Sequence, residues 1–477
     1  MKPFWAIVKL TLRNAVRSHL FQLLLFLLLL CVVLIPSTIS GDGTAGGFIR
    51  ISLLYSLSAV STILALSSIW LGCFVMAQDI DNYQLHMVVT KPVSRVKIWL
   101  AKWVGINILH LFLLLVSALA IYFIIMAKYN QQNFPEKERE RIRNEVLVGR
   151  RVFWPYRPDY DEQSRRLVTQ RIKEREQRGI AVDRSPEAQD NLLRDARREV
   201  ISQDTQAHYG QPRTWVFPHI PDTGKPMFLR YRPYIGKVAT EGQRMTRVWW
   251  EIGMPQLQNP SAGGNSVFDQ NAKAGYEVYF VPMAEYPEQV MSGEFHEKTI
   301  PAGVKVITPD HQVVFRYTNA DDAQGSQFFQ LTDGPKLLIE VAGFFENYMR
   351  AILVIAMELL ILSGLGCAFG GFLTMPTAVF VVISYLLFGS FAVYMTGLSY
   401  VSGAADQIGQ FIAKLLLVVV IPLQAFEVTG IVASGEIIEL ALIWKLFWFY
   451  FLCRALPLFA LGIFFYWRRE LGLVIRK

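Results

Sequence analysis

Apolar residues fall in long unbroken blocks along this chain rather than in alternation. The first block, Leu20–Ile39, is long enough to cross about 30 Å of hydrocarbon at 1.5 Å per residue. Ile51–Met76 and Ile98–Ala127 follow, and after a polar interval come Glu346–Gly370, Phe372–Tyr400 and Ala441–Trp467. Six membrane-spanning helices are therefore predicted. Basic residues precede Leu20, as in a signal peptide, but the run is long and no A-x-A-like site ends it, so it reads as a retained span. Gln410–Leu423 is strongly apolar yet too short to span and carries Lys414 and Pro422. The pattern predicts a re-entrant or interfacial segment on the outer side within 404–435.

Two other patterns interrupt the apolar blocks. Phe4–His19 sets Lys9, Arg13 and Arg17 at four-residue spacing on one helical face and Trp5, Val8, Leu12 and Val16 on another. Such a helix would lie along the inner leaflet. In the polar interval, Pro135–Arg151, Tyr160–Gly179 and Ser185–Thr205 are charged and helical in composition, with Ser185-Pro186 as a helix start. From about Lys225 the period shortens. Met227–Tyr231, Arg247–Glu251, Tyr276–Val281, Val304–Ile307, Gln312–Tyr317, Gln327–Leu331 and Leu337–Val341 read as strands at sandwich-like spacing. The interval thus divides into a helical part (128–222) and a β-rich part (223–345), with Trp249, Trp250, Tyr279 and Phe280 as its expected core.

Composition supports the same class. Of 477 residues, 52% are apolar and 18% charged, against roughly a quarter charged in soluble domains. The mean hydropathy is +0.30. Of the 47 basic and 39 acidic residues, 59 lie between Lys128 and Phe345. The expected fold is a mainly α polytopic membrane protein, with spans one to three in 1–127, a large insert at 128–345 and spans four to six in 346–477. A net charge of +8 does not imply nucleic acid, because the basic residues cluster at span ends and no nucleic-acid-binding signature is present. Lys2, Lys9, Arg13 and Arg17, then Lys91, Arg95, Lys97 and Lys102, then Arg468, Arg469, Arg476 and Lys477 all fall on one side of a six-span chain. The positive-inside rule places both termini in the cytoplasm of a bacterial cell and the insert outside its cytoplasmic membrane.

Candidate chemistry is sparse. Cys31, Cys73, Cys367 and Cys453 all lie in apolar runs, which excludes a disulfide framework and a cysteine zinc site. Glu294, His296, Glu297, Asp310 and His311 have no metal-ligand spacing and read as solvated loop residues. No G-x-S-x-G element and no phosphate loop occurs; no catalytic residue, metal or cofactor is expected. Two intramembrane charges stand out, Glu358 and Arg454. Each lies roughly 18–20 Å from a membrane face at 1.5 Å per residue, and an unpaired charge there costs at least about 2.5–3.5 kcal/mol. Their matched depths predict that they pair with each other or with a polar path at the subunit interface. Gly366 and Gly370 form a G-x-x-x-G that would let another helix approach closely.

The connection Gln78–Lys102 is the most informative stretch. Asp79 and Asp81 open it, an apolar face with Tyr83 follows, Lys91-Pro92 ends that segment, and Ser94 stands where the third span needs a cap. Asp79-Ile80-Asp81, then Thr90-Lys91-Pro92-Val93-Ser94-Arg95, then Trp99-Leu100-Ala101-Lys102-Trp103-Val104-Gly105 resembles type-2 ABC exporter permeases. The likeness extends to the basic amphipathic start, the six spans, the outer segment with Pro422 and Phe426, and the closing Trp467-Arg468-Arg469-Glu470-Leu471. Tyr83-Gln84-Leu85 and Ala101 depart from the common pattern. The resemblance implies a permease subunit that does not itself hydrolyse ATP and exports an unidentified substrate. Segment 78–97 would dock a separate ABC ATP-binding subunit through Asp79, Asp81, Tyr83, Lys91, Pro92, Ser94 and Arg95. A second permease copy, giving a homodimer or a close heterodimer, would complete the complex, and the insert would meet a protein partner outside the membrane or shape the exit of the transport path. Two other readings remain at this stage: a membrane-anchored sensor or assembly scaffold acting through the insert, and an ion-driven transporter.

Overall fold

The structure, a computed structural model, describes residues 2–17, 19–38, 45–81, 93–131, 134–179, 183, 185–236, 245–257, 276–323, 325–397 and 404–468. It divides into two compact units, 1–149 with 342–477 and 150–341. The first is helical. Its elements are α1 (Lys2–Arg17), α2 (His19–Thr38), α3 (Ala45–Asp81), α4 (Arg95–Gln131) and α5 (Glu136–Glu145), followed in the chain by the second unit. The first unit resumes in α8 (Phe344–Gly370), α9 (Met375–Gly397), α10 (Ala404–Val419), α11 (Thr429–Ala433), α12 (Leu440–Lys445), a π-helical stretch (Leu446–Ala455) and α13 (Leu456–Arg468). The second unit contributes α6 (Tyr160–Gln177) and α7 (Pro186–Thr205).

Among the described residues, six helices are long and apolar enough to cross a membrane: Phe21–Thr38, Gly46–Gln78, Arg95–Asn130, Phe344–Gly370, Met375–Gly397 and Leu440–Arg468. The short apolar stretch predicted near 410 forms one arm of a pair, Gln407–Val419 and Leu423–Ala433, bent by 54° at Val420–Pro422. α8 is the central element, with 72% of its most apolar window buried against 17% for the first span. Leu53, Leu57, Val60 and Leu64 of α3, at helical spacing, are all fully buried in the shared core. α1 packs its Val8, Thr11 and Ala15 face inward, and a Cβ added at Gly105 of α4 would lie 3.0 Å from Thr11 Cβ. Trp5 and Val16, expected on the apolar contact face, are exposed.

α5 is among the most charged helices of the chain, yet it belongs to the helical unit because Ile142 and the following Val146 sit in that unit's core. The helix expected over Pro135–Arg151 stops at Glu145, and Val148–Phe153 is strand β1. Local signals place the two helices of the second unit. Asp159 caps α6 by accepting from the Asp161 and Glu162 amides, and Ser185 caps α7 by accepting from the Ala188 amide at 3.3 Å.

The second unit carries the remaining strands: β2 (Gln206–Ala207), β3 (Pro212–Phe217), β4 (Met227–Tyr231), β5 (Tyr234–Ile235), β6 (Met245–Leu257), β7 (Tyr276–Pro282), β8 (Glu288–Met291), β9 (His296–Ile300), β10 (Val313–Asn319), β11 (Gln327–Phe328) and β12 (Lys336–Gly343). They form sheets ordered β1-β12-β4-β9, β3-β10-β6-β7 with β8 also on β6, and β2-β11-β5. β1, β2 and β3 lie inside 128–222, the part expected to be helical, while Val304–Ile307 forms no strand. Antiparallel register sets Tyr317 opposite Trp250. These two rings lie 4.7 Å apart in a buried aromatic core with Trp215 and Tyr231. Trp250 is thus core as expected; Tyr279 is exposed.

The same register creates a buried charge cluster. Arg230 stands directly opposite Glu297, and their side chains meet at 2.9 Å. Arg150 reaches the other oxygen of the same carboxylate at 2.6 Å, with its own side chain fully buried. Glu297 is therefore not the solvated loop residue its sequence context indicates. Burial alone would raise its carboxyl, but the Arg150 and Arg230 guanidiniums outweigh that and hold it below the ordinary range. The resulting stabilisation is present at neutral pH and lost as pH falls through the depressed value. Removing one partner of a buried pair costs about 3–5 kcal/mol. Glu297→Ala is accordingly expected to lower the thermal unfolding midpoint of the detergent-solubilised chain sharply, followed by tryptophan fluorescence. An unchanged midpoint would mean the triad contributes nothing net.

Candidate functional site

The candidate coupling segment joins α3 to α4. Asp79 and Asp81 stand in the last turn of α3; their side chains, and Tyr83, Lys91 and Pro92 entirely, lie outside the described residues. The far end is described. Ser94 begins α4, its Oγ accepting from the Lys97 amide at 3.4 Å and its carbonyl from the Ile98 amide at 3.2 Å. This is N-cap geometry, which satisfies amides that a helix start leaves without partners. The Arg95 guanidinium donates to the Trp467 carbonyl at 2.8 Å, placing a cation on the last turn of α13, where the helix dipole favours it.

One turn further on, α4 is tied to its neighbours by polar side chains. Lys102, 5% exposed, donates to the Val75 carbonyl of α3 at 2.8 Å. Trp99 and Trp103, four residues apart and so on one face, donate to the Cys367 and Leu360 carbonyls of α8, each at 3.2 Å. Their rings stack at 6.2 Å, and Phe459 of α13 packs against both. The Trp99-x-x-Lys102-Trp103 element thereby joins α3, α4, α8 and α13 immediately beside the coupling segment. Sequence reading picked out these residues as a motif but not as interhelical donors.

Polar groups continue inward in satisfied pairs. Asn107 accepts from Ser363 at 2.9 Å, His110 lies 3.1 Å from Ser67, and Ser58 donates to Thr429 at 2.9 Å. Tyr348 donates to the Ala118 carbonyl at 2.8 Å. Glu358 and Arg454 do not follow the expectation drawn from their depth: no ion pair joins them among the described residues. Arg454 donates to the Val420 carbonyl at 3.0 Å, at the bend of the broken helix pair, and its guanidinium lies 4.9 Å from the Tyr450 ring centre. Glu358 has the Ser61 hydroxyl as hydrogen-bond partner and the Glu427 carboxylate as its charged neighbour. Equal depth fixes only position along a helix, and the two side chains take different partners.

Gly366 and Gly370 face α3. A Cβ at Gly366 would lie 2.7 Å from the Ile69 carbonyl oxygen and 3.1 Å from Gly72 Cα. One at Gly370 would lie 2.7 Å from the Cys73 carbonyl oxygen. Gly72 answers from the other side, with the Ser363 carbonyl oxygen 2.7 Å from where its Cβ would stand. Gly72 was not singled out in the sequence, since a lone glycine in an apolar run has no spacing to mark it.

No group of His, Cys, Asp or Glu able to hold a metal ion occurs among the described residues. No family model matches this chain, and no curated protein does. The described part of the site consists of a capped helix start, a cation on a helix end and a set of interhelical donors around a backbone-to-backbone seam.

Overpacking a tight contact costs typically about 1–3 kcal/mol. Gly366→Leu should therefore reduce the yield of monodisperse protein and lower its melting midpoint. Gly397→Leu, at a position with nothing within 4 Å of an added Cβ among the described residues, should leave both unchanged. Equal behaviour of the two variants would show that the seam is not tight.

Proposed function

We propose that this chain is the membrane-spanning permease subunit of an ATP-driven ABC export complex in a bacterial cytoplasmic membrane. The reading rests on the Asp79–Arg95 connection between the second and third candidate spans, with its K-P-V-S-R element and the following W-L-A-K-W-V-G. The observation that carries it is the placement of that element's end: Ser94 caps α4 while Arg95 holds the last helix. A force applied by a partner at this connection would reach α3 through Lys102, α8 through Trp99 and Trp103, and α13 through Arg95.

In this scheme a separate ATP-binding subunit docks on the cytoplasmic face against Asp79, Asp81, Tyr83, Lys91, Pro92, Ser94 and Arg95. ATP binding and hydrolysis in that partner shift the connection, and the interhelical donors convert the shift into rearrangement of the central helices. Both termini lie in the cytoplasm and the 150–341 unit lies outside, where it meets an extracytoplasmic partner. A second copy of the permease supplies the other half of the path. The basic residues near the cytoplasmic span ends support this orientation by the positive-inside rule.

Charge reversal tests the docking surface. Asp81→Lys combined with Arg95→Glu should abolish transport and weaken capture of the ATP-binding subunit at least tenfold, about 1.4 kcal/mol, while membrane insertion persists. Capture at the wild-type level by the double variant would overturn the assignment of this segment.

A further inference from the structure

Beside the seam, α1, α2, α3 and α4 enclose a groove of about 300 Å³, at the lower end of the roughly 300–1,000 Å³ typical of ligand pockets. Phe21, Leu24 and Leu27 of α2 form one wall and Ile63, Leu66 and Trp70 of α3 the other. Ser67 and His110 are the polar residues on its lining, and they satisfy one another. His110 Nδ1 lies 2.9 Å from the Ile106 carbonyl, which can only accept, so Nδ1 carries the proton. Nε2 then accepts from the Ser67 hydroxyl at 3.1 Å. With its polar pair closed and no lysine, arginine or carboxylate on its walls, the groove favours an apolar occupant.

Its position adds a charge requirement. Ala15 of α1 is part of its lining, and the lining of α2 begins at Phe21, two residues after that helix starts. The groove therefore opens beside α1, a helix that carries Lys2, Lys9, Arg13 and Arg17 and no acidic residue. Lys9, Arg13 and Arg17 are exposed. An apolar chain seated between α2 and α3 would have its head at this cationic helix. We infer that the groove binds one acyl chain of an anionic phospholipid of the α1-side leaflet, with the phosphate held by the basic face of α1. This fastens α1 to the bilayer and fills space between α2 and α3 that protein atoms leave open.

Native mass spectrometry of the full chain in detergent, titrated with phosphatidylglycerol or phosphatidylcholine of matched chains, tests the inference. The wild type should retain one phosphatidylglycerol per chain about tenfold more tightly than phosphatidylcholine. Leu27→Trp, which fills the groove, should remove that adduct, and Ser67→Phe should do the same from the opposite wall should the first variant not fold. Arg13→Gln with Arg17→Gln should abolish the headgroup preference. Phe411→Trp, on an exposed face of α10, should change nothing. Equal retention of the two lipids, or an unchanged adduct in the filled groove, would overturn the inference. So would loss of self-association without loss of lipid in Leu27→Trp, because the occupant would then be a second copy of the chain.

Discussion

The helical unit depends on one close approach, that of α3 to α8 at Gly72, Gly366 and Gly370. Between apolar helices in lipid there is little hydrophobic gain from association, so contact must come from dispersion and interhelical hydrogen bonds. Both require the backbones to come near. Three missing side chains bring the α3 and α8 main chains to a separation that no Cβ would allow. With α8 drawn in, its Leu360 and Cys367 carbonyls fall within reach of Trp103 and Trp99, and α4 is held as a third member. The glycine seam thus sets where the tryptophan and lysine donors of α4 can act.

The two units are held by different physics. In the helical unit several buried polar side chains act in neutral pairs or on backbone carbonyls, as Ser363 with Asn107 and Tyr348 with Ala118 show. Its two intramembrane charges likewise meet a carbonyl, aromatic rings and a hydroxyl rather than each other. The 150–341 unit uses full charges inside its sheets. Glu297 takes Arg150 and Arg230, and Glu251 pairs with Arg316 through two bonds of 2.6 and 2.8 Å. Strand register brings each acid opposite one of its arginines, so correct pairing of the strands and neutralisation of the charges are the same event.

Much of this was legible in the chain. Spans of eighteen or more apolar residues announce themselves, because few soluble elements carry them. Caps such as Ser185 and Ser94 act through residues two or three positions away and need only local sequence. Strands β1, β3, β8 and β9 were not visible, since arginine and glutamate in them mask the alternation that marks a strand; Arg150 and Glu297 look solvated until the fold supplies their partners. Gly72 was hidden for the same reason, its partner lying almost three hundred positions away. A direct Glu358–Arg454 ion pair is absent among the described residues, because depth can be counted along a helix, whereas azimuth depends on packing that the apolar pattern of these helices leaves open.

The proposed role turns on whether α3 and α4 end at a docking surface for an ATP-driven partner. The most direct measurement is purification of the intact complex from native membranes through a tag on this chain, with its partners identified and its ATP hydrolysis assayed. The account predicts a stoichiometric phosphate-loop ATPase whose photo-crosslinks fall within residues 79–95. A complex that holds no such ATPase, or one that contacts the chain only outside this segment, would contradict it.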